Sequence, residues 1–535
     1  MSEQKSTDRA EAASPAKEFL SRLAEPFAAI DHPGADDRTP RARVLATLCF
    51  LLALALLVRL PYYHGRLFPL NDGGMFAEVL DNLRAAHFAL PTQTTYNFLH
   101  IPLSYPPLGF YLGALCTLLP GQTAVTVLTW LPLVINLANV LLIYFVAREI
   151  YPSHFYASVA ACCYAVMGRS AEWLTMGGGL TRAPGAACAA VAILFFLRAT
   201  RRNSWRLAAF SGLWAGLAAL FHLEGGVFAA LSLVMLSLLE PGRVANLRRL
   251  VLAGAVAVLT VLPWLWWVYL RVGLEPLRNA AHSGGSYQYT SPSMFVLLVA
   301  AMAIAVVTRY PYLVWLAIIP FVMRRSPTHY GPMVGGICMV WFANALVVLV
   351  VRSRRWLQAQ YRQQSLVAIV ALGMALLLGG MPSASSDRLT DLRDNARAQL
   401  SPAELDAMQA ARRLTPPEAR FFVFNQRFGA WPVDMVSEWF PYFARRHAVN
   451  TVQGQEWLPG RAFERAARAE ADLEMAGSPR VAAERMQKAG ADYLYLAGPL
   501  DENQQWLAQA LLSATDGAPI YRNAEVAIYR LKHAN

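Results

Sequence analysis

The sequence predicts a mainly helical, polytopic membrane protein that carries a small α/β domain after its last apolar segment. Of its 535 residues, 56% are hydrophobic and only 15% are charged, whereas about 25% of the residues of a soluble domain are charged. Apolar runs near the ~20 residues that cross a bilayer recur from Val44 to Gly380. Residues 381–535 then have the composition of an ordinary soluble domain, and their number fits one domain.

The net charge of +12 resides in the membrane part of the chain. Residues 381–535 contain 18 Lys+Arg and 19 Asp+Glu, a balance of −1, so residues 1–380 carry +13. Arginines there cluster at the ends of apolar segments, which indicates a topology signal and argues against a nucleic-acid partner. All six cysteines lie in apolar stretches without metal-ligand spacing, which argues against disulfides and zinc–cysteine sites.

Arginine placement also predicts the topology. We expect a disordered cytoplasmic tail at residues 1–42 and a membrane domain at residues 43–380. The eleven candidate spans are residues 44–60, 123–147, 153–169, 183–198, 205–221, 225–240, 249–270, 293–308, 311–323, 331–351 and 364–380. With the N-terminus inside, the most arginine-dense loops of this domain lie inside as well. Eleven spans then place residues 381–535 outside the cytoplasm.

The first outer loop, residues 61–122, is predicted to contain two helices at the membrane surface. Pro106–Leu119 is apolar but, at fourteen residues, too short for a span. The second helix, Asp72–Phe88, is amphipathic. Its apolar side chains recur at helical spacing at Phe76, Val79, Leu80 and Leu83.

One outer loop departs from the charge rule, because it contains the adjacent arginines Arg324 and Arg325. Paired arginines can snorkel at a helix end, and a misassigned span would also explain them. Alternatively, they hold an anion at the membrane surface. The sequence leaves these interpretations open.

The C-terminal domain is predicted to alternate helices and strands. Ser401 and Glu404 flank Pro402 in the form of a capping box that opens a helix to about Leu414. The other predicted elements are the strands Arg420–Phe424 and Asp492–Leu496, the helices Trp439–Arg446, Arg461–Met475 and Gln504–Ser513, and a hairpin at Ile520–Leu531. The aromatic and amide residues of Trp431–Gly460 suit sugar stacking, although packing of a small core is the simpler interpretation.

The best candidate for chemistry is Asp72, in the run Asn71-Asp72-Gly73-Gly74-Met75-Phe76. Its carboxylate is predicted at the start of a surface helix, beside glycines that let backbone approach a ligand closely. From the spacing alone, the favoured interpretation is that Asn71 or Asp72 caps this helix.

This run, followed by Tyr105-Pro106-Pro107-Leu108, resembles the first outer loop of the GT-C superfamily of membrane glycosyltransferases. That superfamily includes the protein O-mannosyltransferases and the lipid A aminoarabinose transferases. The resemblance implies about a dozen spans in the plasma membrane, an extracytoplasmic site and a polyprenyl-phosphate-linked sugar donor. Gly73 stands where the pattern usually has a second acidic residue.

The resemblance implies that other outer segments converge on Asp72. Arg182 follows three glycines that either present backbone amides or form a hinge. His222 and Glu224 are too few for a strong metal site, and a hydrogen-bonded pair is the favoured interpretation. The loop 273–292, with His282, Tyr287 and Tyr289, is expected to be a mobile cover. Together with Tyr105, Arg324 and Arg325, the residues Arg182, His222 and Glu224 are the predicted substrate-binding set.

The implied mechanism is a single displacement with inversion, in which Asp72 is the general base. Arginines would hold the charge of the departing phosphate. No nucleotide or redox cofactor is implied, and a divalent metal requirement is left open. The acceptor is a lipid, glycan or protein. A non-catalytic envelope protein or a transporter with an outer sensor domain is the alternative, and a surface-polysaccharide ligase or polymerase is a third hypothesis.

Overall fold

The computed structural model describes residues 40–63, 72–151, 153–168, 179–283, 312–323, 327–351, 360–380, 400–429, 434–474, 479–500 and 502–532, with a few single positions between them. The eighth candidate span, residues 293–308, lies almost entirely outside these residues. The predicted disordered tail, residues 1–42, also lies outside the described residues except for residues 40–42. The count of eleven spans therefore stays a prediction.

Ten apolar helices occupy the membrane part of the described chain. Five are at least 18 residues long and apolar enough to cross a membrane, at Arg41–Leu60, Ala124–Ile150, Gly179–Arg201, Arg243–Arg271 and His329–Val347. Shorter apolar helices occupy His154–Val166, Trp205–Phe221, Leu223–Leu239, Tyr312–Val322 and Gln363–Leu377. The chain is therefore mainly helical, and its apolar helices are typical of a multi-pass membrane protein.

In chain order, the helices of this part are α1 (Arg41–Tyr63), α2 (Gly73–Ala85), α3 (Leu108–Cys116), α4 (Ala124–Ile150), α5 (His154–Val166), α6 (Gly179–Arg201), α7 (Trp205–Phe221), α8 (Leu223–Leu239), α9 (Arg243–Arg271), α10 (Glu275–Ser283), α11 (Tyr312–Val322), α12 (Pro327–Val351) and α13 (Gln360–Gly380). The short strands β1 (Gln93–Thr94) and β2 (Ile101–Pro102) form an antiparallel pair between α2 and α3. Helices are thus present at both places predicted for the first outer loop, as α2 and α3, and their position at the membrane surface stays a prediction.

The C-terminal part contains the helices α14 (Pro402–Leu414), α15 (Met435–Ala444), α16 (Ala462–Glu474), α17 (Pro479–Lys488) and α18 (Glu502–Ser513). Its strands are β3 (Arg420–Phe424), β4 (His447–Ala448), β5 (Tyr493–Ala497), β6 (Thr515–Arg522) and β7 (Val526–Leu531). They form one sheet in the order β4-β3-β5-β7-β6. The first three strands are parallel, and the β5–β7–β6 pairs are antiparallel.

The capping box at the start of α14 is confirmed. The Glu404 amide donates to Ser401 Oγ at 3.0 Å, and the Ser401 amide donates to Glu404 Oε2 at 2.8 Å. Pro402 occupies the first turn, where its missing N–H costs nothing. The local sequence therefore determines where this helix begins.

The first outer loop and the C-terminal domain share one hydrophobic core. Phe76, Leu80 and Leu83 of α2 are fully buried with Trp439 and Phe440 of α15. Because the apolar side of α2 points into this core, the helix is fixed between the bundle and the domain. The domain therefore lies on the same side of the helical bundle as α2 and α3.

The polar side of α2 is covered by α15 as well. Arg445 forms ion pairs with Glu78 and, at 3.5 Å, with Asp81. The Tyr442 hydroxyl donates to Asp81 Oδ2 at 3.0 Å. Charges that the sequence places opposite the apolar face thus bind another part of the chain.

Candidate active site

Asp72 stands immediately before α2 in a left-handed backbone conformation, with φ 61° and ψ 0°. Asp and Asn are among the few residue types other than glycine that adopt this conformation at small cost. The Asp72 side chain makes no capping hydrogen bond to α2. For Asp72, the helix-cap interpretation that the spacing favoured is therefore wrong, and Asn71 lies outside the described residues.

The carboxylate of Asp72 turns instead toward side chains from two distant parts of the chain. Arg182 Nη2 donates to Asp72 Oδ2 at 3.1 Å, and Gln453 Nε2 donates to Asp72 Oδ1. The Asp72 side chain remains 16% exposed. Because each carboxylate oxygen can accept two hydrogen bonds, both oxygens keep a lone pair for a proton.

Arg182 is positioned by close packing at the start of α6. A Cβ on Gly179 would lie 2.6 Å from the Leu174 carbonyl oxygen, so only glycine fits there. The Leu180 amide donates to the Gly177 carbonyl at 3.2 Å and is used within this turn. Gly179 therefore serves close packing, and the two predicted roles of the glycine run, amide presentation and hinge, stay predictions.

Tyr105 lies beside this pair at the centre of an aromatic cluster. Its hydroxyl shares a hydrogen bond of 3.2 Å with Thr181 Oγ1. Its ring centroid is 5.5 Å from those of Phe76 and Trp457 and 5.4 Å from that of Phe110. Burial raises the pKa of Tyr105 above its ordinary value, so the hydroxyl stays protonated and can donate.

His222 and Glu224 lie near Tyr105, at the start of α8. The His222 ring centroid is 6.2 Å from that of Tyr105. Glu224 Oε2 is 4.0 Å from His222 Nδ1 and 3.8 Å from His329 Nδ1. The first of these distances is too long for the predicted hydrogen bond. Within the described residues, no group of three His, Cys, Asp or Glu side chains could hold a metal ion.

The C-terminal domain closes the site with the segment 453–457. Besides Gln453, this segment contributes Trp457, whose ring packs on Tyr105, and Glu456. Burial and, to a smaller extent, the charge of Asp72 raise the pKa of Glu456 to about 7, although hydrogen bonds oppose this effect. The residue after Trp457 contacts α10, because the Asn279 side chain donates a hydrogen bond of 3.1 Å to the Leu458 carbonyl.

A second carboxylate, that of Glu438 on α15, reaches the turn at Asp72. The Gly74 amide donates to Glu438 Oε1 at 3.1 Å. Burial, and secondarily the neighbouring Asp72, raises the pKa of Glu438 well above its ordinary value, although the bonded backbone amides oppose this. Glu438 is 6% exposed, so it meets the turn from inside the protein.

Known structures of the same architecture exist. The archaeal oligosaccharyltransferase AglB from Archaeoglobus fulgidus, solved with an inhibitory peptide and a dolichol-phosphate, superposes with a TM-score of 0.50 at 13% identity, over 85% of this chain and 69% of that chain. The chain has the GT-C fold. The resemblance predicted from its first outer loop is confirmed.

A family model and a second solved structure are also similar to this chain. The family model for dolichyl-phosphate-mannose-protein mannosyltransferases matches residues 104–267, less than a third of the chain. ArnT from Cupriavidus metallidurans in the apo state has a TM-score of 0.49 at 16% identity and covers 91% of this chain and 98% of that chain. No curated protein sequence matches the chain.

Five of the seven predicted site residues come together in this GT-C chain. Asp72 and Arg182 form an ion pair, and Tyr105, His222 and Glu224 lie near it. Arg324 and Arg325 lie outside the described residues, as do Tyr287 and Tyr289 of the predicted cover. The first part of that cover, from Glu275 to Ser283, is the helix α10.

The sequence interpretation missed His329, Glu438 and the role of the segment 453–457. In Trp431–Gly460, core packing is confirmed for Trp439 and Trp457, which are both buried. Trp457 also packs on Tyr105, and its role in sugar stacking stays a prediction. Glu438 carried one available signal, since a carboxylate in an apolar helix such as α15 needs a polar partner. His329 stood beside Arg324 and Arg325 in the loop that already broke the charge rule.

Proposed function

We propose that this chain is a glycosyltransferase that moves a sugar from a polyprenyl-phosphate-linked donor to an acceptor hydroxyl on the extracytoplasmic side of the plasma membrane. One observation carries the proposal. The Asp72 carboxylate is held by Arg182 and Gln453, is reachable from outside, and does not cap its helix. The GT-C fold supports the reaction class.

In the proposed reaction, the acceptor hydroxyl oxygen attacks the anomeric carbon of the donor sugar. Its proton passes to a free lone pair of Asp72 as the new C–O bond forms. The bond between the anomeric carbon and the phosphate oxygen breaks, and its electron pair leaves with the phosphate. A single displacement from the opposite face inverts the anomeric configuration.

The remaining side chains have proposed binding roles. Arg182 and Gln453 keep the carboxylate oriented, which preserves the geometry that proton transfer requires. The protonated Tyr105 hydroxyl and the Trp457 ring offer a hydrogen-bond donor and an apolar face, the two features of sugar sites. We assign the donor phosphate to Arg324 and Arg325, because guanidinium groups bind phosphate oxygens in bidentate fashion. His222 and Glu224 complete the substrate-binding set.

The proposed orientation follows from arginine placement and from the shared core. The dense arginine loops are assigned to the cytoplasm, and the C-terminal domain packs on the side of the first outer loop. On this assignment, the C-terminal domain and Asp72 face the extracytoplasmic space together.

The direct test supplies the purified chain with polyprenyl-phosphate-linked sugars and measures release of polyprenyl phosphate. Mass analysis of lipid-linked sugars and of envelope glycans in a deletion strain identifies the donor that accumulates and the glycan that is lost. Accumulation of one lipid-linked sugar with loss of one glycan modification supports transfer. If the lipid-linked sugars and the envelope glycans of the deletion strain both match those of the parent strain, the alternative of a transporter or sensor is favoured and the proposal is rejected.

A further inference from the structure

The backbone of the Asp72 turn is in contact with α15, a helix of the C-terminal domain 364 residues later in the chain. Glu438 Oε1 accepts a hydrogen bond of 3.1 Å from the Gly74 amide. This amide lies in the first turn of α2, where backbone N–H groups have no partner within the helix. Glu438 therefore does from another domain what a local capping side chain normally does.

The contact is too close for any side chain at position 74. A Cβ there would lie 2.4 Å from the Glu438 carbonyl oxygen and 3.3 Å from the Trp439 Cα. The same carbonyl oxygen accepts a hydrogen bond of 2.5 Å from the Tyr96 hydroxyl. Side chain and backbone of Glu438 are thus both bonded to the first outer loop, and they fix the start of α2 from one side.

Asp72 needs such support because its backbone is left-handed and its side chain does not bond its own helix. An aspartate in this position more commonly caps the helix that follows. Here the capping function belongs to Glu438, and the Asp72 carboxylate is left for Arg182 and Gln453. A small rotation of this turn would redirect the carboxylate, and misplacement by about 1 Å can lower a rate about a hundredfold.

We infer that Glu438 is a positioning residue that holds the turn at Asp72 and so aims the Asp72 carboxylate into the site. The inference rests on the proposed role of Asp72 as the base. It assigns the C-terminal domain a part in the reaction, since without α15 the first-turn amide loses its partner and the turn loses its support.

The test uses the full-length purified chain with the substitutions Glu438→Ala and Glu438→Gln. Glutamine keeps an oxygen acceptor of the same reach, so it should preserve the turn, whereas alanine removes the acceptor. Tyr442→Phe is the matched control. It deletes another hydrogen bond between α15 and α2, the 3.0 Å bond to Asp81, two helical turns from Asp72.

The first measurement is hydrogen exchange of the peptide that covers residues 72–78. Glu438→Ala should exchange at least tenfold faster at the Gly74 amide, while Glu438→Gln and Tyr442→Phe should match the parent. The second measurement is transfer kinetics. Glu438→Ala should lower kcat at least tenfold with little change in KM, and glutamine should restore most of it.

Three results would overturn the inference: parent-like exchange and turnover in Glu438→Ala, the same losses in Tyr442→Phe, or the same losses in Glu438→Gln. The two hypotheses fail separately. If the parent shows no transfer at all, the proposed function is rejected. The exchange data still decide whether Glu438 holds the turn.

Discussion

Replacement of Asp72 by asparagine tests the proposed base with little disturbance of its surroundings. Asparagine adopts the left-handed conformation at least as readily as aspartate, so the observed φ of 61° should be retained. The side-chain shape is also kept. What disappears is the negative charge and the ability to accept a proton, whereas alanine would strain the backbone in addition.

The expected magnitudes are different for stability and for catalysis. The bond from Arg182 at 3.1 Å is charge-assisted, and such bonds contribute roughly 1.5–3 kcal/mol. Since both side chains are about 15% exposed, water offsets part of this loss, and we expect a modest decrease in melting temperature. Loss of a general base lowers turnover about 10²- to 10⁴-fold, which corresponds to roughly 3–5 kcal/mol of transition-state stabilisation.

The assay measures release of polyprenyl phosphate by Asp72→Asn under saturating donor, together with thermal unfolding. Asp81→Asn is the control, because Asp81 lies on the same helix and contacts Tyr442 and Arg445 instead of the site. A drop of about two orders of magnitude or more is expected in Asp72→Asn alone. Parent-like turnover in that variant would remove Asp72 from the reaction, and equal losses in both variants would mean that α2 is merely destabilised.

Three further predictions concern topology, donor binding and pH. In a cysteine-free background, the variant Asn503→Cys should react with a membrane-impermeant reagent added outside, and Asn203→Cys should not. The predicted eleven spans place these two positions on opposite sides of the membrane. The reverse labelling pattern would invert the topology. The double variant Arg324→Ala, Arg325→Ala should bind the donor at least tenfold more weakly, since each contact to the phosphate contributes roughly 1.5–3 kcal/mol. Substitution by lysine should weaken binding less than substitution by alanine. Unchanged affinity would leave Arg182 as the next phosphate-binding candidate. Burial raises the pKa of Asp434 from its ordinary 3.8 to about 6 in the folded protein. Between about pH 4 and pH 6 the unfolded chain loses this proton while the folded protein keeps it. The free energy of unfolding should therefore fall by about 3 kcal/mol as the pH rises through this range. Thermal unfolding of Asp434→Asn should lack this loss, and identical pH profiles in parent and variant would contradict the stated cause.

Local patterns predicted the elements of the fold well. The capping box at Ser401, the amphipathic period of α2 and the apolar runs each depend on neighbouring residues, and the structure has helices at these places. The helix α17, Pro479–Lys488, was not predicted. It contains one valine, one methionine and two alanines, so it offers no clear apolar stripe to recognise.

The candidate site could be predicted only in part, because its members are brought together by tertiary packing. Asp72 was found through its resemblance, but its partner Gln453 lies 381 residues further along the chain. No spacing rule connects them. The cap interpretation failed for the same reason, since Glu438 from α15 supplies the acceptor that a cap would have provided.

The distance in sequence between Asp72 and its partners has a consequence for biogenesis. In the proposed orientation, the first outer loop is made and exported early, but Glu438 and Gln453 emerge from the ribosome only after the apolar helices of residues 41–380. With the proposed function and orientation, the nascent chain should neither bind substrate productively nor release sugar from a donor until the C-terminal domain has crossed the membrane and docked. Activation would then coincide with completed export, and chains truncated before residue 453 should accumulate in the membrane as inactive protein.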